Sequence, residues 1–418
     1  MLVFKFGGAS VKDANGLINL ASVVKQYKEN QLLIVVSAMG KTTNALERLT
    51  KAYTTGANDV HTLFEEIKHY HFTVLEQLFD GSDPVFDEVA NTFVEIDWII
   101  EDEPHDDYDF IYDQIVSIGE LVSTRIVNAY LNKTGINSRW VDVRGYIRTD
   151  NTYREGLVNW DKTCESIRRD LPGLLEKGPV VTQGFLGGTS ENFTTTLGRE
   201  GSDYTASIFA ACLGAESVTT WKDVPGVLNA DPKFFEDTLK FDELSYSEAI
   251  EMTYYGASVI HPKTIKPLQN AKIPLLVKPF YDPGATGTII KENAVNKFTK
   301  PVIIQKQNQV LLSMSAKDYS FISENHLSGI FSTFAKNQVK VNMMQTSALS
   351  FTVCFDLNEE RFERLISDLQ YEFSVKYNDG LTLYTLRHYT AGYLKELTDN
   401  KAILLEQISR NTLQLVVR

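Results

Sequence analysis

Across its first 290 residues the chain alternates short apolar, β-prone runs with longer segments of helical period, and few folds accommodate that alternation. The runs are LVFKF (2–6), LLIVVSA (32–38), PVVTQGF (179–185), SVTTW (217–221) and IPLLVKPF (273–280), several of them apolar on both faces. A strand buried on both faces belongs inside a parallel sheet covered on each side. Between the runs, ALERLTKAYTTG, IVSIGELVSTRIVNAYLNKTG, SDYTASIFAACLG and LSYSEAIEMTYYG repeat apolar residues at helical spacing, and each closes on a glycine. The pattern predicts an α/β domain with a mostly parallel sheet sandwiched by helices.

At 286–301, TGTIIKENAVNKFTKP, the character turns polar and lysine-bearing, which reads as the passage to a second region. There VLLSMSA, LSGIFSTFAKNQ, VKVNMMQTS, SFTVCFD, EERFERLISDLQYEF and SVKYNDGLTLYTL follow a βαββαβ order, a ferredoxin-like plan. A shorter unit ends the chain, and its missing first strand is expected from PVIIQ (301–305), which would interlock the two. The expected bounds are 1–295 for the first domain, with a helical excursion over about 50–115, and 301–418 for the tandem pair. A length of 418 residues suits two or three domains rather than one core.

Composition narrows the partners. The net charge is −13, and the stretch from Asp59 to Asp113 holds 17 Asp and Glu against the single basic residue Lys68. Such a stretch reads as the solvated face of helices, and the balance argues against nucleic acid. His69 and His71 lie among these carboxylates, but at i, i+2 they diverge on a helix, so no metal site is expected. No apolar run is long enough to span a bilayer, and the start shows no secretory pattern, so the expected location is cytoplasmic, with no membrane partner. The three cysteines, Cys164, Cys212 and Cys354, are odd in number and widely spaced, and are expected to be reduced and packed.

Four segments carry candidate chemistry. In LVFKFGGAS a strand runs into Gly7-Gly8, where backbone N–H groups can approach an anion that a Cβ would hold off, with Lys5 as a compact positive charge beside them. In TTTLGREGSDYTAS a glycine-flanked loop presents Arg199, an anion clamp, ahead of Ser202 and Asp203, which read first as helix N-caps. In WKDVPGVLNADP a strand ends at Lys222-Asp223 and opens into a loop with two sharp turns. In SIGE, Glu120 falls on an apolar helical face and needs a cation, either an internal Lys or Arg or a ligand amine.

Taken in order, K-F-G-G-x-S, V-V-S-A-M-G-K-T-T-N (35–44), S-I-G-E (117–120), T-Q-G-F-L-G (182–187), T-T-L-G-R-x-G-S-D-Y-T-A and W-K-D-V-P-G resemble the aspartate kinases of the amino-acid kinase superfamily over residues 1–290. The tail resembles the paired ACT domains of that family. The resemblance implies an amino-acid kinase fold followed by two interlocked ferredoxin-like ACT-type domains. It also implies transfer of the ATP γ-phosphate, with Mg2+, to the side-chain carboxylate of L-aspartate. By the same resemblance Lys5 and Asp203 are catalytic, and Ser37, Thr43, Glu120, Phe185, Arg199 and Ser202 form the aspartate pocket. Lys5, Gly7, Gly8, Ser10, Lys222, Asp223, Leu228, Lys233 and Ser258 face ATP.

Some positions depart from the family pattern. G-R-G-G-S-D becomes G-R-E-G-S-D, and the added Glu200 is expected to point to solvent. Ser258 in Y-G-A-S-V-I-H-P stands where the family has lysine, leaving Lys222 or Lys263 to take its part. In the tail, Asn325, His326, Ala348 and Leu349 stand where effector contacts usually differ, so lysine or threonine is an open choice of effector. A homodimer through the tail is expected, since sheet edges invite pairing. A sister kinase with another carboxylate substrate, or a catalytically weak amino-acid sensor, are the alternative readings.

Overall fold

The computed structural model describes residues 1–257, 260–295, 298–318, 320–389, 397–398 and 401–418. They divide into two compact units. The first is Met1–Val227 with Lys240–Ile250 and Val259–Asn296; the second is Lys297–Arg418 with Leu228–Leu239 and Glu251–Ser258.

The strands of the first unit are β1 (Leu2–Phe6), β2 (Leu32–Val36), β3 (Arg139–Val141), β4 (Val180–Gln183), β5 (Leu186–Gly188), β6 (Thr194–Thr196), β7 (Ser217–Lys222), β8 (Glu243–Ser245), β9 (Leu275–Pro279) and β10 (Thr288–Lys291). Eight of them form one sheet in the order β3-β4-β2-β1-β7-β9-β10-β8, parallel throughout except between β9 and β10. All five β2 residues, LLIVV, are buried, as a central strand covered on both faces requires. β5 and β6 pair separately as a short antiparallel hairpin.

The helices are α1 (Ala14–Gln26), α2 (Thr42–Thr54), α3 (Val60–Leu78), α4 (Val85–Glu101), α5 (Tyr108–Lys133), α6 (Trp160–Leu175), α7 (Gly201–Leu213), α8 (Tyr246–Tyr255) and α9 (Pro262–Ala271). The acidic stretch forms α3, α4 and the start of α5. On α3, Phe64, Ile67, His71, Val74, Leu75 and Leu78 turn inward at helical spacing, which leaves the carboxylates to water. His69 is exposed and His71 buried, so the two diverge. His71 Nδ1 contacts the Ile67 carbonyl at 2.7 Å and burial pushes the ring down to about 4, a neutral packed histidine. Pro172 and Pro267 lie inside α6 and α9.

The cysteines are a correction. Cys164 on α6 and Cys212 on α7 form a disulfide across a Cα–Cα distance of 5.0 Å, and Cys354 is the free, buried thiol. Their separation of 48 residues carries no signal of proximity; the side-by-side packing of α6 and α7 creates it.

The second unit comprises β11 (Val302–Ala316), α10 (Glu324–Lys336), β12 (Val341–Thr346), β13 (Phe351–Asp356), α11 (Glu359–Gln370), β14 (Phe373–Arg387), β15 (Ile403–Ile408) and β16 (Thr412–Val417). They make one antiparallel sheet in the order β12-β13-β11-β14-β16-β15. The two 15-residue strands β11 and β14 run through both halves and interlock them, with a register shift near Asn308. In the first half, Val310, Leu312, Met314, Val353 and Phe355 pack beneath Ile330, Phe334, Leu365 and Leu369 of α10 and α11. In the second half, Val302–Lys306 pairs with Leu383–Arg387. It thus takes the place of a fourth, closing strand rather than a first, because Leu383–Arg387 itself leads into β15 and β16.

Candidate active site

Strands β1 and β7 are adjacent, parallel and in register, with Lys5 opposite Thr220 and Phe6 opposite Trp221. Helix α7 begins near their C-terminal ends, and there the charged cluster assembles. Lys5 Nζ lies 3.2 Å from Asp203 Oδ2, and Lys222 Nζ lies 3.7 Å from the same oxygen. Thr220 Oγ1 donates to Asp203 Oδ1 at 3.3 Å. Lys5 is 6% exposed and Asp203 4%, so this is a buried ion pair with every carboxylate oxygen engaged. Burial pushes the Lys5 ammonium down against the pull of Asp203, and neighbouring Lys222 pushes the same way. Burial alone raises Asp203, but Lys5 and Lys222, with hydrogen bonds from Lys5 and Thr220, hold its carboxyl below the usual carboxylate range. Thr220 is a partner that the sequence reading did not single out. It sits two residues before Lys222, on the same face of the strand, and that spacing is the signal that points to it.

Beyond β1 the chain passes Gly7 and Gly8 into a 3-10 turn, Gly8–Val11. A Cβ on Gly8 would sit 2.7 Å from the Ala38 carbonyl and 2.8 Å from the Gly40 carbonyl, so only glycine admits this approach of the two loops. The Gly40 amide donates to the Gly8 carbonyl at 3.0 Å, and the Ser37 amide to the Phe6 carbonyl at 3.1 Å. A Cβ on Gly7 would lie 3.5 Å from Lys5 Nζ, which places this backbone beside the ammonium. Ser10 is buried and its hydroxyl donates to the Trp221 carbonyl at 3.4 Å.

Glu120 reaches the same region from α5. A Cβ on Gly119 would meet Leu46, Thr42 and Ala38 side-chain atoms at 3.0–3.2 Å, so the glycine of S-I-G-E lets α5 pack closely on this loop and on α2. Glu120 Oε1 then accepts the Ala38 amide at 3.3 Å, while Oε2 is buried with no hydrogen-bond partner. Burial pushes Glu120 up to about 8, opposed only in part by the Ala38 amide and by Lys5. Of the two partners expected for it, an internal cation is not in ion-pair contact among the described residues. Ser123 Oγ, also on α5, donates to the Ser37 carbonyl at 2.7 Å. Thr43, in the first turn of α2, is half-buried.

The loop before α7 supplies the rest. Phe185 takes a left-handed conformation, φ 71°, with its amide donating to Thr205 Oγ1 at 3.0 Å. Arg199 is exposed and Ser202 buried. Two expectations are corrected here. Neither Ser202 nor Asp203 caps the helix, because α7 starts at Gly201 and both fall within its first turn. Glu200, which precedes the helix at φ 53°, is half-buried rather than turned out to solvent, and its Oε2 is buried and unpartnered. Burial raises the Glu200 carboxyl, opposed by Lys222 and reinforced by Asp203.

The remaining positions do not join this cluster by any contact described within one unit. Asp223 is exposed just past β7, and Lys263 is exposed on α9. Leu228 and Lys233 belong to the second unit, where Lys233 is exposed and its amide donates to Asp231 Oδ1 at 2.9 Å. Ser258 lies outside the described residues.

Comparison with known proteins gives this geometry its family. The profile of the amino acid kinase family matches residues 1–279. Lysine-sensitive aspartokinase 3 of Escherichia coli is 30% identical over 393 residues, covering 92% of this chain and 86% of that protein. Aspartokinase 2, chloroplastic, of Arabidopsis thaliana is 32% identical over 378 residues, covering 85% of this chain and 66% of that protein. A crystal structure of E. coli aspartokinase III in complex with aspartate and ADP superposes with a TM-score of 0.86 at 28% identity, covering 100% of this chain and 96% of that one. The chain therefore belongs to the amino acid kinase family and, within it, to the aspartokinases.

Proposed function

We propose that the chain catalyses transfer of the γ-phosphate of ATP to the side-chain carboxylate of L-aspartate, giving 4-phospho-L-aspartate. The observation that carries this reading is the buried Lys5–Asp203–Lys222 cluster at the strand ends, next to a Glu120 carboxyl with one unpartnered oxygen. The attacking carboxylate is already an anion, so the reaction needs no strong base; it needs alignment and charge neutralisation. Lys5, fixed by Asp203, places its ammonium where negative charge develops on the phosphoryl oxygens, and the amides near Gly7 and Gly8 add donors without reorganising. Lys222 takes the nucleotide phosphates, with Asp223 beside it at the end of β7. Arg199 pairs with a substrate carboxylate, Glu120 ionises to receive the substrate ammonium, and Ser37, Thr43, Phe185 and Ser202 shape the pocket between them.

Mg2+ accompanies the nucleotide in this reading and supplies Lewis-acid neutralisation of phosphate charge. Among the described residues no group of three or more acidic, histidine or cysteine side chains is placed to hold the ion, and Glu200 lies in the field of Lys222, Lys5 and Arg199, so in this reading the nucleotide phosphates are its ligands.

The tail serves assembly and, with it, regulation. β15 is an edge of the six-stranded sheet and exposes Ile403, Leu404 and Ile408, an apolar edge suited to pairing with a second copy. Lysine is the first effector to test, given the lysine-sensitive relative; here His326 Nδ1 already accepts the Ser323 amide in a capping box, which leaves less of that ring for a ligand.

The deciding experiment measures ADP release with aspartate, glutamate and acetylglutamate, with and without lysine and threonine. Release with aspartate alone among the three supports the reading, and a preference for either longer acid overturns it.

A further inference from the structure

Asp113 is a buried acid that the proposed reaction leaves without a task. It sits on α5 two turns before Glu120, on the same face of the helix, and is 0% exposed. Burial pushes its carboxyl up to about 6, opposed by hydrogen bonds and by the charge of Arg154. Those bonds come from two segments remote from α5 in the chain. Oδ2 accepts the Arg154 amide and the Thr196 amide, each at 2.9 Å, and Oδ1 accepts the Thr196 hydroxyl at 2.7 Å.

Both segments flank the turn that carries Arg199. Thr196 ends β6, and the next amide, that of Leu197, donates at 2.8 Å to the carbonyl of Phe185, another residue of the aspartate pocket. From the other side the Gly156 amide donates to the Thr196 carbonyl at 2.8 Å, and a Cβ on Gly198 would lie 3.3 Å from the Arg154 carbonyl. The turn therefore rests on the backbone of 154–156. That backbone is itself tied down, because the Arg154 guanidinium meets Asp109 at 3.3 Å and lies over the Tyr112 ring, 4.4 Å from its centre, both on α5. Arg199 is exposed, so the backbone beneath it rather than surrounding side chains sets its reach.

We infer that Asp113 is a positioning residue: it fastens Thr196 and Arg154 to α5 and thereby sets Arg199 against Glu120, the two groups that read the ends of the amino acid. A carboxylate suits this place because it accepts from three donors at once, whereas an asparagine would turn its NH2 group toward one of them. One helix then spaces both recognition groups, as a substrate of fixed length requires. The inference rests on the reading of Arg199 as partner of a substrate carboxylate and adds the group that holds it in place.

The test is a double-mutant cycle in the full-length enzyme, read as KM for aspartate and KM for ATP. Asp113→Asn is expected to raise KM for aspartate roughly 5- to 30-fold, with KM for ATP within about twofold. Thr196→Val, which removes one donor and keeps both backbone bonds, raises it roughly 2- to 5-fold and serves where Asp113→Asn does not fold. In an Arg199→Ala background neither change raises KM for aspartate further, because the group they position is gone. Full additivity with Arg199→Ala overturns the inference, as does a parallel rise in both KM values; each marks Asp113 as a support of the fold only. KM for aspartate unchanged in the folded single variants overturns it as well. Arg199→Ala with KM for aspartate unchanged overturns instead the reading of Arg199 itself, a result distinct from these.

Discussion

In the second unit buried polar side chains satisfy one another: Gln309 bonds Asp356 and Asn342, Arg387 bonds Glu251 and Thr412, and Gln414 bonds Thr385. In the first unit Glu120 and Glu200 each bury an oxygen with no partner, and among the described residues every buried side-chain atom of that kind lies in this unit. A satisfied network rigidifies a sheet, whereas an orphaned carboxylate oxygen raises the energy of the empty state and is relieved by a ligand. The unit that does chemistry thus holds the unmet polar demand among the described residues, and Glu120 and Glu200 are its two carboxylates. The tail meets its polar demand internally and presents apolar side chains at an edge instead. The contrast also runs within the first unit, between a fully engaged Asp203 and a half-engaged Glu120.

The largest test of this contrast removes the satisfied cluster's charge. Lys5→Ala is expected to lower kcat by roughly 10²–10³ while the protein stays folded, the usual effect of deleting one preorganised charge at a developing anion. Turnover within about threefold of wild type in a folded variant separates the cluster from catalysis.

Next in size is the orphaned side. Glu120→Gln and Arg199→Ala are each expected to raise KM for aspartate roughly 10- to 100-fold, the scale of one charged hydrogen bond, with KM for ATP little changed. Steady-state kinetics with each substrate varied settles this; loss of ATP affinity with aspartate affinity retained moves both residues to the nucleotide side.

The two carboxylates also predict opposite pH behaviour. Glu120, raised to about 8 by burial, contributes stability that is fully present below its ordinary carboxylate pKa and is lost as pH rises through about 8. Asp203, held low chiefly by Lys5 and Lys222 against its own burial, contributes stability present above its ordinary value and lost as pH falls through its depressed one. Urea midpoints of the ligand-free enzyme between pH 6.5 and pH 9, above the range in which buried His71 acts in the opposite sense, are therefore expected to fall with rising pH, and to flatten in Glu120→Gln. Calorimetry near pH 7, in buffers of different ionisation enthalpy, is expected to show a proton released when aspartate binds wild type but not the variant. Equal proton counts for the two proteins make the orphaned oxygen irrelevant to the substrate ammonium.

On the tail side, Leu404→Glu on β15 is expected to shift a homodimer toward monomer in light scattering, with kcat changed far less than by Lys5→Ala. An unchanged mass places the interface elsewhere. If lysine acts through this region, the coupling is expected on the order of 1–3 kcal/mol, seen as a shift in half-saturation for aspartate. The smallest effect concerns α6 and α7. Alkylation of the denatured, unreduced protein is expected to label Cys354 alone, and all three cysteines only after reduction.

The sequence by itself determined the layered α/β core and the βαββαβ order of the tail, because strand and helix periods are local properties of side-chain direction. It also singled out Lys5, Glu120 and Arg199 as candidates, since a lysine before a glycine pair, an acid on an apolar helical face and an arginine between glycines are anomalies visible without neighbours, whereas Asp203 read as a cap and became a candidate only through the family resemblance. It did not show that Glu200 turns inward, that neither Ser202 nor Asp203 caps α7, that Cys164 meets Cys212, or that Val302–Lys306 takes the closing rather than the opening place in its half-sheet. Those outcomes depend on what stands across the gap. Glu200 lies in the field of lysines from two different strands, Asp203 falls inside the first turn of α7, where Lys5, Lys222 and Thr220 engage it, and the cysteines meet only because α6 packs on α7. Charge balance and proximity between segments far apart in the chain are decided by packing, and packing exists only once the strands have been ordered in space.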